Sequence, residues 1–243
     1  MLGPRGAIRL DTTILGSAVS ELIDACIFDM DDLLIRSADI WRKAEETLLF
    51  AIDHRWTPDL AIQYKGMNAL DVAATIHRLL KPARPLVECQ RILRDSLLQN
   101  FSGEITALEG AVDLVHQLYR HRPLAVASGS PLDAIHAALS QLGILECFSV
   151  VISSESVARG KPHPDVFLAA ANASGMLPDR CLVFEDSLIG VRAAVAAGMR
   201  VICVPSGSSE EIRRITPYVF ESLADVINET PVRECLRGGA ESN

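Results

Sequence analysis

The chain has 243 residues, 49% of them hydrophobic and 22% charged, with a formal net charge of −8. This length and balance describe a globular protein able to bury a sheet, and they exclude a disordered or fibrous chain. The acidic total excludes a broad nucleic-acid footprint, which needs a basic stripe, but not a small anionic ligand held by a few local cations.

The six cysteines, Cys26, Cys89, Cys147, Cys181, Cys203 and Cys235, show no close-paired spacing. They read as small buried hydrophobes in a reducing cytoplasm rather than as a disulfide frame or a zinc site. At the N-terminus, Asp11 and Glu21 interrupt any apolar run beside Arg5 and Arg9, so neither a signal peptide nor a membrane span is expected. The first twenty or so residues read as a loosely held extension.

Ala25-Cys26-Ile27-Phe28 is a short apolar run of strand type, followed by Asp29, Asp31 and Asp32. Carboxylates crowded at a strand end repel one another and need a cation or a proton, and a hard oxygen-seeking ion such as Mg²⁺ answers that need. Ser37 is placed to cap a helix through Ile40, Trp41, Ala44, Leu48 and Leu49. Helical patterns recur at Pro58–Tyr64, Leu70–Leu80 and Leu86–Phe101, broken by Gly66 and by Pro82 and Pro85.

From Gly110 the pattern changes. Helix Ala111–Tyr119, strand Leu124–Ala127, helix Leu132–Leu142 and strand Ser149–Ile152 follow in turn. Helix Asp165–Ser174, strand Cys181–Phe184, helix Leu188–Ala197 and strand Arg200–Val204 continue the series. A weaker strand at Tyr218–Phe220 and a helix at Leu223–Asn228 close it, and the tail from Cys235 reads as frayed. Alternating strands and helices imply an α/β fold, a doubly wound parallel sheet. The long, wholly helical gap after the first strand implies an inserted helical cap, residues 38–105, on a core of 22–37 and 106–243.

Ligands of open parallel sheets bind beyond the carboxyl ends of the strands. Asp29, Asp31 and Asp32 follow the first strand, and Ser128-Gly129-Ser130 the second. Gly160-Lys161-Pro162-His163-Pro164 follows the third, and Glu185-Asp186-Ser187 the fourth. Phosphoryl transfer needs such a set, because the protein's part is to position groups and neutralise phosphoryl oxygens. Asp29 is suited to attack phosphorus and Asp31 to act as acid and base. Ser128, with a neighbouring N–H, and Lys161 would hold phosphoryl oxygens. Asp186 with Glu185 beside it, Asp29 and the Asp31 carbonyl would hold Mg²⁺.

The order DMD, ASGS, GKPHPD and FEDS resembles the four motifs of the haloacid dehalogenase superfamily. It is similar to the branch with a helical cap after the first strand, which includes β-phosphoglucomutase and the small sugar-phosphate phosphatases. The likeness covers roughly Cys26 to Asp225. It implies Asp29 as nucleophile, Asp31 as acid/base, Ser128, Gly129 and Lys161 as phosphate binders, and Glu185 and Asp186 as magnesium acids. Leu33-Leu34-Ile35 with Ser37 and Trp41 is especially similar to phosphatases of deoxyhexose and hexitol phosphates.

Two positions depart from the family pattern. Asp32 stands where the motif carries glycine in a tight turn; Asp tolerates left-handed geometry but adds charge beside the nucleophile. Arg36 stands where relatives carry an acid near the cap hinge.

The resemblance implies a Mg²⁺-dependent phosphatase of small phosphorylated metabolites, sugar or polyol phosphates, with neither nucleic acid nor membrane as partner. The runners-up are a phosphomutase and a non-catalytic phosphoester-binding protein. Ala69 occupies the place of the mutase arginine, which favours the phosphatase. Asp31 disfavours a dehalogenase or a phosphonatase. On the cap loop, Lys65 and Asn68 are the expected substrate contacts, since a closing lid presents its loops to the ligand. Trp41 and Trp56 are expected in the packed interior of the cap, and His163 in a rigid turn.

Overall fold

The computed structural model describes residues 23–228; the expected N-terminal extension, the tail and Cys235 lie outside the described residues. Five parallel strands form one sheet: β1 (Ala25–Phe28), β2 (Leu124–Ser128), β3 (Val150–Ser153), β4 (Cys181–Glu185) and β5 (Arg200–Cys203). Their order is β3-β2-β1-β4-β5, so the chain reverses its direction of travel across the sheet at β1. That reversal opens a crevice beyond the carboxyl ends of β1 and its neighbours, the usual ligand position in such sheets. Ile27 pairs with Ala125 on one side and with Val183 on the other, which makes β1 fully internal.

Strand residues alternate between two apolar layers, as the period of two requires. Ala25, Ile27, Ala125, Ala127 and Val183 face helices α7 (Asp165–Ala173), α8 (Leu188–Ala196) and α9 (Glu210–Ile215). Cys26, Phe28, Val126 and Phe184 face α5 (Ala111–Tyr119), α6 (Leu132–Gln141) and α10 (Leu223–Asn228). The Phe28 and Phe184 rings stack at 4.5 Å, and Phe148 meets Phe28 edge-on at 5.9 Å.

Between β1 and α5 the regular elements are all helices: α1 (Ala38–Ala51), α2 (Pro58–Ala61), α3 (Ala69–Leu80) and α4 (Leu86–Phe101). Their stripes, Ala44, Leu48, Val72, Ile76, Leu93 and Leu97, are buried and continuous with the second layer of the sheet. The chain leaves and re-enters side by side: Arg36 N donates to Thr106 O at 2.9 Å, and Leu108 N to Leu34 O at 3.0 Å.

Three expectations change. The helix at Pro58 is one turn and gives way to turns before Gly66. Tyr218–Phe220 is not a strand but a single bridge, Cys203 to Val219. The short helix α9 had not been anticipated. No helix among the described residues is long and apolar enough to cross a membrane, and the five described cysteines are free thiols.

Candidate active site

The crevice floor is the end of β1. Asp29 N donates to Phe184 O at 3.0 Å, extending the β1–β4 ladder one residue, so Asp29 leaves the sheet rigidly held and 4% exposed. The chain then turns tightly, with the N–H groups of Leu33, Leu34 and Ile35 all directed at Met30 O. Asp32 adopts φ 53° to make that turn, the left-handed region that Asp tolerates better than most residues.

This turn corrects the expected helix cap. Ser37 sits at the N-cap of α1, but its side chain makes no cap bond. Instead Asp32 Oδ1 accepts from Ser37 N at 3.1 Å and Ala38 N at 3.0 Å, while Asp32 N donates to Ser37 Oγ. The carboxylate takes the role assigned to serine because the turn folds it back over the helix start.

Asp31 is held by three donors. Ser128 Oγ and Ser130 Oγ donate to its Oδ2 at 2.9 and 2.8 Å, and Trp41 Nε1 donates to its Oδ1 at 2.8 Å. Trp41 therefore reaches the crevice rather than the cap interior alone. Gly129 lies where the α3 segment crosses: a Cβ there would sit 3.2 Å from Asn68 Cα, and Ala69 N donates to Gly129 O.

Lys161 is 5% exposed. Its Nζ donates to Asp29 Oδ1 at 2.6 Å and to Glu185 Oε1, and it lies 4.9 Å above the Phe167 ring. Glu185 Oε2 is also engaged, accepting from Asp186 N, Ser187 N and Ser187 Oγ. Gly190 leaves room for this carboxylate, which a Cβ would strike. Asp186 Oδ2 accepts from Ser206 Oγ at 2.5 Å.

Three buried carboxylates, Asp29, Glu185 and Asp186, offer oxygens within 4.8 Å of one another. One ammonium, Lys161, faces them, leaving two negative charges uncompensated. Burial, above all, pushes the Asp29 carboxyl well up; Lys161 opposes this, and Glu185 and Asp31 add to it. Burial likewise raises Asp186, with Glu185 and Asp29 adding to it. For Lys161 burial works against the charge, yet Asp29 and Glu185 outweigh it and hold it above its ordinary range. Both sides of the pair shift upward, Asp29 chiefly through burial and Lys161 through the acids around it. An all-oxygen donor set with two surplus negative charges fits a hard divalent cation such as Mg²⁺.

Above these groups lies a cavity of about 410 Å³, roofed by α1, α2 and the loop before α3. Asp29, Asp31, Gly129, Lys161 and Asp186 reach it, and so does Lys65, whose Nζ donates to Ser206 O at 3.3 Å. Ser128 and Glu185 stand behind this lining, as supports of Asp31 and Lys161. Asn68 lies outside it: its side chain caps α3 by accepting from Asp71 N. Arg36 is exposed and His163 is exposed, and neither lines the cavity. Trp56 does line it.

Sequence reasoning gave Ser130 no role and missed Ser206 and Glu45. Ser130 lies inside the ASGS motif, where it could have been weighed; Ser206 gave no signal. Glu45, on the inner side of α1, is 7% exposed and accepts from Trp56 Nε1 at 2.7 Å and Tyr64 OH at 3.2 Å.

The family model of the haloacid dehalogenase-like hydrolases matches residues 23–198, and the chain belongs to that family. It is 31% identical over 219 residues to the bifunctional riboflavin kinase/FMN phosphatase of Arabidopsis thaliana, covering 88% of this chain and 55% of that protein. The chain thus spans little more than half of that longer relative. It is 34% identical over 182 residues to fructose-1-phosphate phosphatase YqaB of Escherichia coli (strain K12), covering 73% of this chain and 94% of the other. Among solved structures, CbbY from Rhodobacter sphaeroides in complex with phosphate aligns with TM-score 0.75 at 27% identity, over 84% of this chain and 96% of that one.

Proposed function

We propose that the protein is a cytoplasmic, Mg²⁺-dependent phosphatase of small sugar or polyol phosphates, working through an aspartyl-phosphate, with 38–105 as its cap. The observation that carries this reading is the meeting of Asp29, Asp31, Lys161 and Asp186 in one cavity. The relative matched over 94% of its own length is named a fructose-1-phosphate phosphatase.

In this reading a carboxylate oxygen of Asp29 forms a bond to phosphorus as the bond to the leaving oxygen breaks, and Asp31 gives its proton to that oxygen. Asp31 then takes a proton from water, whose oxygen attacks phosphorus and frees Asp29. Lys161 Nζ has three donors and spends two on Asp29 and Glu185, so one remains for a phosphoryl oxygen. The Gly129 N–H supplies a further donor, while Ser128, whose hydroxyl is spent on Asp31, holds that acid in place. Asp29, Asp186 and the Asp31 carbonyl would hold the metal; Glu185 belongs to that acid group and keeps Lys161 in place. When bound, the ion offsets phosphoryl charge. Ala69, buried at the start of α3, offers no cation for a second phosphate, which favours hydrolysis over a mutase.

The test is release of phosphate from a panel of sugar, polyol and p-nitrophenyl phosphates with and without Mg²⁺. Turnover that needs Mg²⁺ and vanishes in Asp29→Asn is expected. No turnover of any member overturns the proposal.

A further inference from the structure

Glu45 is a buried acid of the cavity that the proposed chemistry does not use. It projects from α1 one turn beyond Trp41, roughly 6 Å along the helix axis. Positions four apart share a helix face, so Trp41 and Glu45 both point into the cavity. Trp41 touches Asp31, the acid that would face the leaving oxygen. Glu45 therefore stands where the rest of the leaving group extends.

Its hydrogen bonding is lopsided. Trp56 Nε1 and Tyr64 OH both donate to Oε2, and no donor among the described residues reaches Oε1. No described cation forms an ion pair with it, and its neighbour Glu46 only adds to the acid charge. An ionised carboxylate is acceptor-only with room for several donors, and Oε1, which is not one of the buried unpartnered atoms, is open on the cavity side to accept from a ligand. A ligand that supplies donors completes it; a second phosphate there would meet a bare negative charge.

We infer that Glu45, positioned by Trp56 and Tyr64, is a specificity residue that accepts hydrogen bonds from hydroxyl groups of an uncharged, polyhydroxylated leaving group. This rests on the phosphatase reading above and names the residue that selects within it. It accounts for a buried carboxylate set among Trp41, Trp56, Ala61, Ile62 and Met67, where the nearby Arg42 is engaged by Asp39 and Glu46.

The test compares sorbitol 6-phosphate with hexyl phosphate, which has the same carbon number but no hydroxyls, and with p-nitrophenyl phosphate. Wild type should prefer sorbitol 6-phosphate to hexyl phosphate. Glu45→Gln keeps an acceptor for Trp56 and Tyr64 but removes the charge. It should lower kcat/KM about 10- to 100-fold on sorbitol 6-phosphate, the range for hydrogen bonds to a charged group. Hexyl and p-nitrophenyl phosphate should change less than about threefold, which also shows that the variant is folded. Equal losses on all three substrates, complete inactivity of the variant, or an unchanged preference would each overturn the assignment while leaving the phosphatase intact. Failure of wild type on every phosphate ester of the panel with Mg²⁺ would overturn both.

Discussion

Asp32 makes two opposing contributions that substitution can separate. Its φ of 53° is left-handed, a conformation costing L-residues roughly 1–2 kcal/mol, with Asp and Asn penalised least. Against this, its carboxylate caps α1 through two N–H groups at 3.1 and 3.0 Å, and losing a cap costs about 1 kcal/mol. Asp32→Gly loses the cap but relieves the backbone, so its stability should stay within about 1 kcal/mol of wild type. Asp32→Ala loses the cap and keeps a left-handed residue with no polar group to ease it, and should cost about 1–3 kcal/mol. Burial, first, and then Asp31 raise the Asp32 carboxyl, while the Ser37 and Ala38 N–H groups pull it down. Its net shift is upward, so ionisation opposes folding at neutral pH. Asp32→Asn, which keeps the acceptor and the backbone tolerance, should be at least as stable as wild type. Urea unfolding midpoints at constant m read these differences directly. On the catalytic side, Asp32→Gly should keep or raise kcat/KM by removing charge beside the phosphate site. Equal stability of the Ala and Gly variants, or a tenfold loss of activity in Asp32→Gly, would refute the reasoning.

Three further outcomes follow from the site. In chelator, the raised carboxyls of Asp29 and Asp186 bind protons more tightly in the folded state than in the unfolded one. Stability from them is full below the unfolded carboxylate value and is lost as pH rises through the folded values, so the melting temperature should fall as pH rises above the ordinary carboxylate range. Saturating Mg²⁺ should reverse most of that loss, and a flat profile with no Mg²⁺ effect would contradict the charge imbalance. Trp41→Phe removes the indole donor to Asp31; kcat should drop roughly tenfold, and an unchanged kcat would show that Asp31 needs no such support. Gly190→Ala pushes a Cβ into Glu185 and so displaces the partner of Lys161. Activity should fall by more than about tenfold, with recovery absent at high substrate because Lys161 itself is misplaced; wild-type rates would rule out this coupling.

The sheet was readable because its central strands are continuous apolar runs buried on both faces, as Cys26-Ile27-Phe28 and Leu182-Val183-Phe184 are. The site was readable only as far as it hangs on those strand ends. Asp29, Lys161 and Asp186 were named from chain order, and the sheet brings them together. What the chain hid depends on docking between elements. Helical period places Trp41, Glu45 and Leu48 on one side of α1, yet does not say which of them meets the crevice and which the packed layer. Asp32 as the cap of α1 depends on the loop folding back over Ser37, a contact five residues apart that local preference does not see. Helix α9 was missed because, within Glu-Glu-Ile-Arg-Arg-Ile, only Ile212 is buried. Six residues with one anchor carry no period.

The claim that Asp29 carries the phosphoryl group can be tested by acid-quenching the protein during turnover with Mg²⁺ and weighing its peptides. The account predicts one phosphoryl group on the peptide containing Asp29, absent in chelator and absent in Asp29→Asn. Active enzyme whose Asp29 peptide stays unmodified under every quench, or an Asp29→Asn protein with full activity, would contradict it.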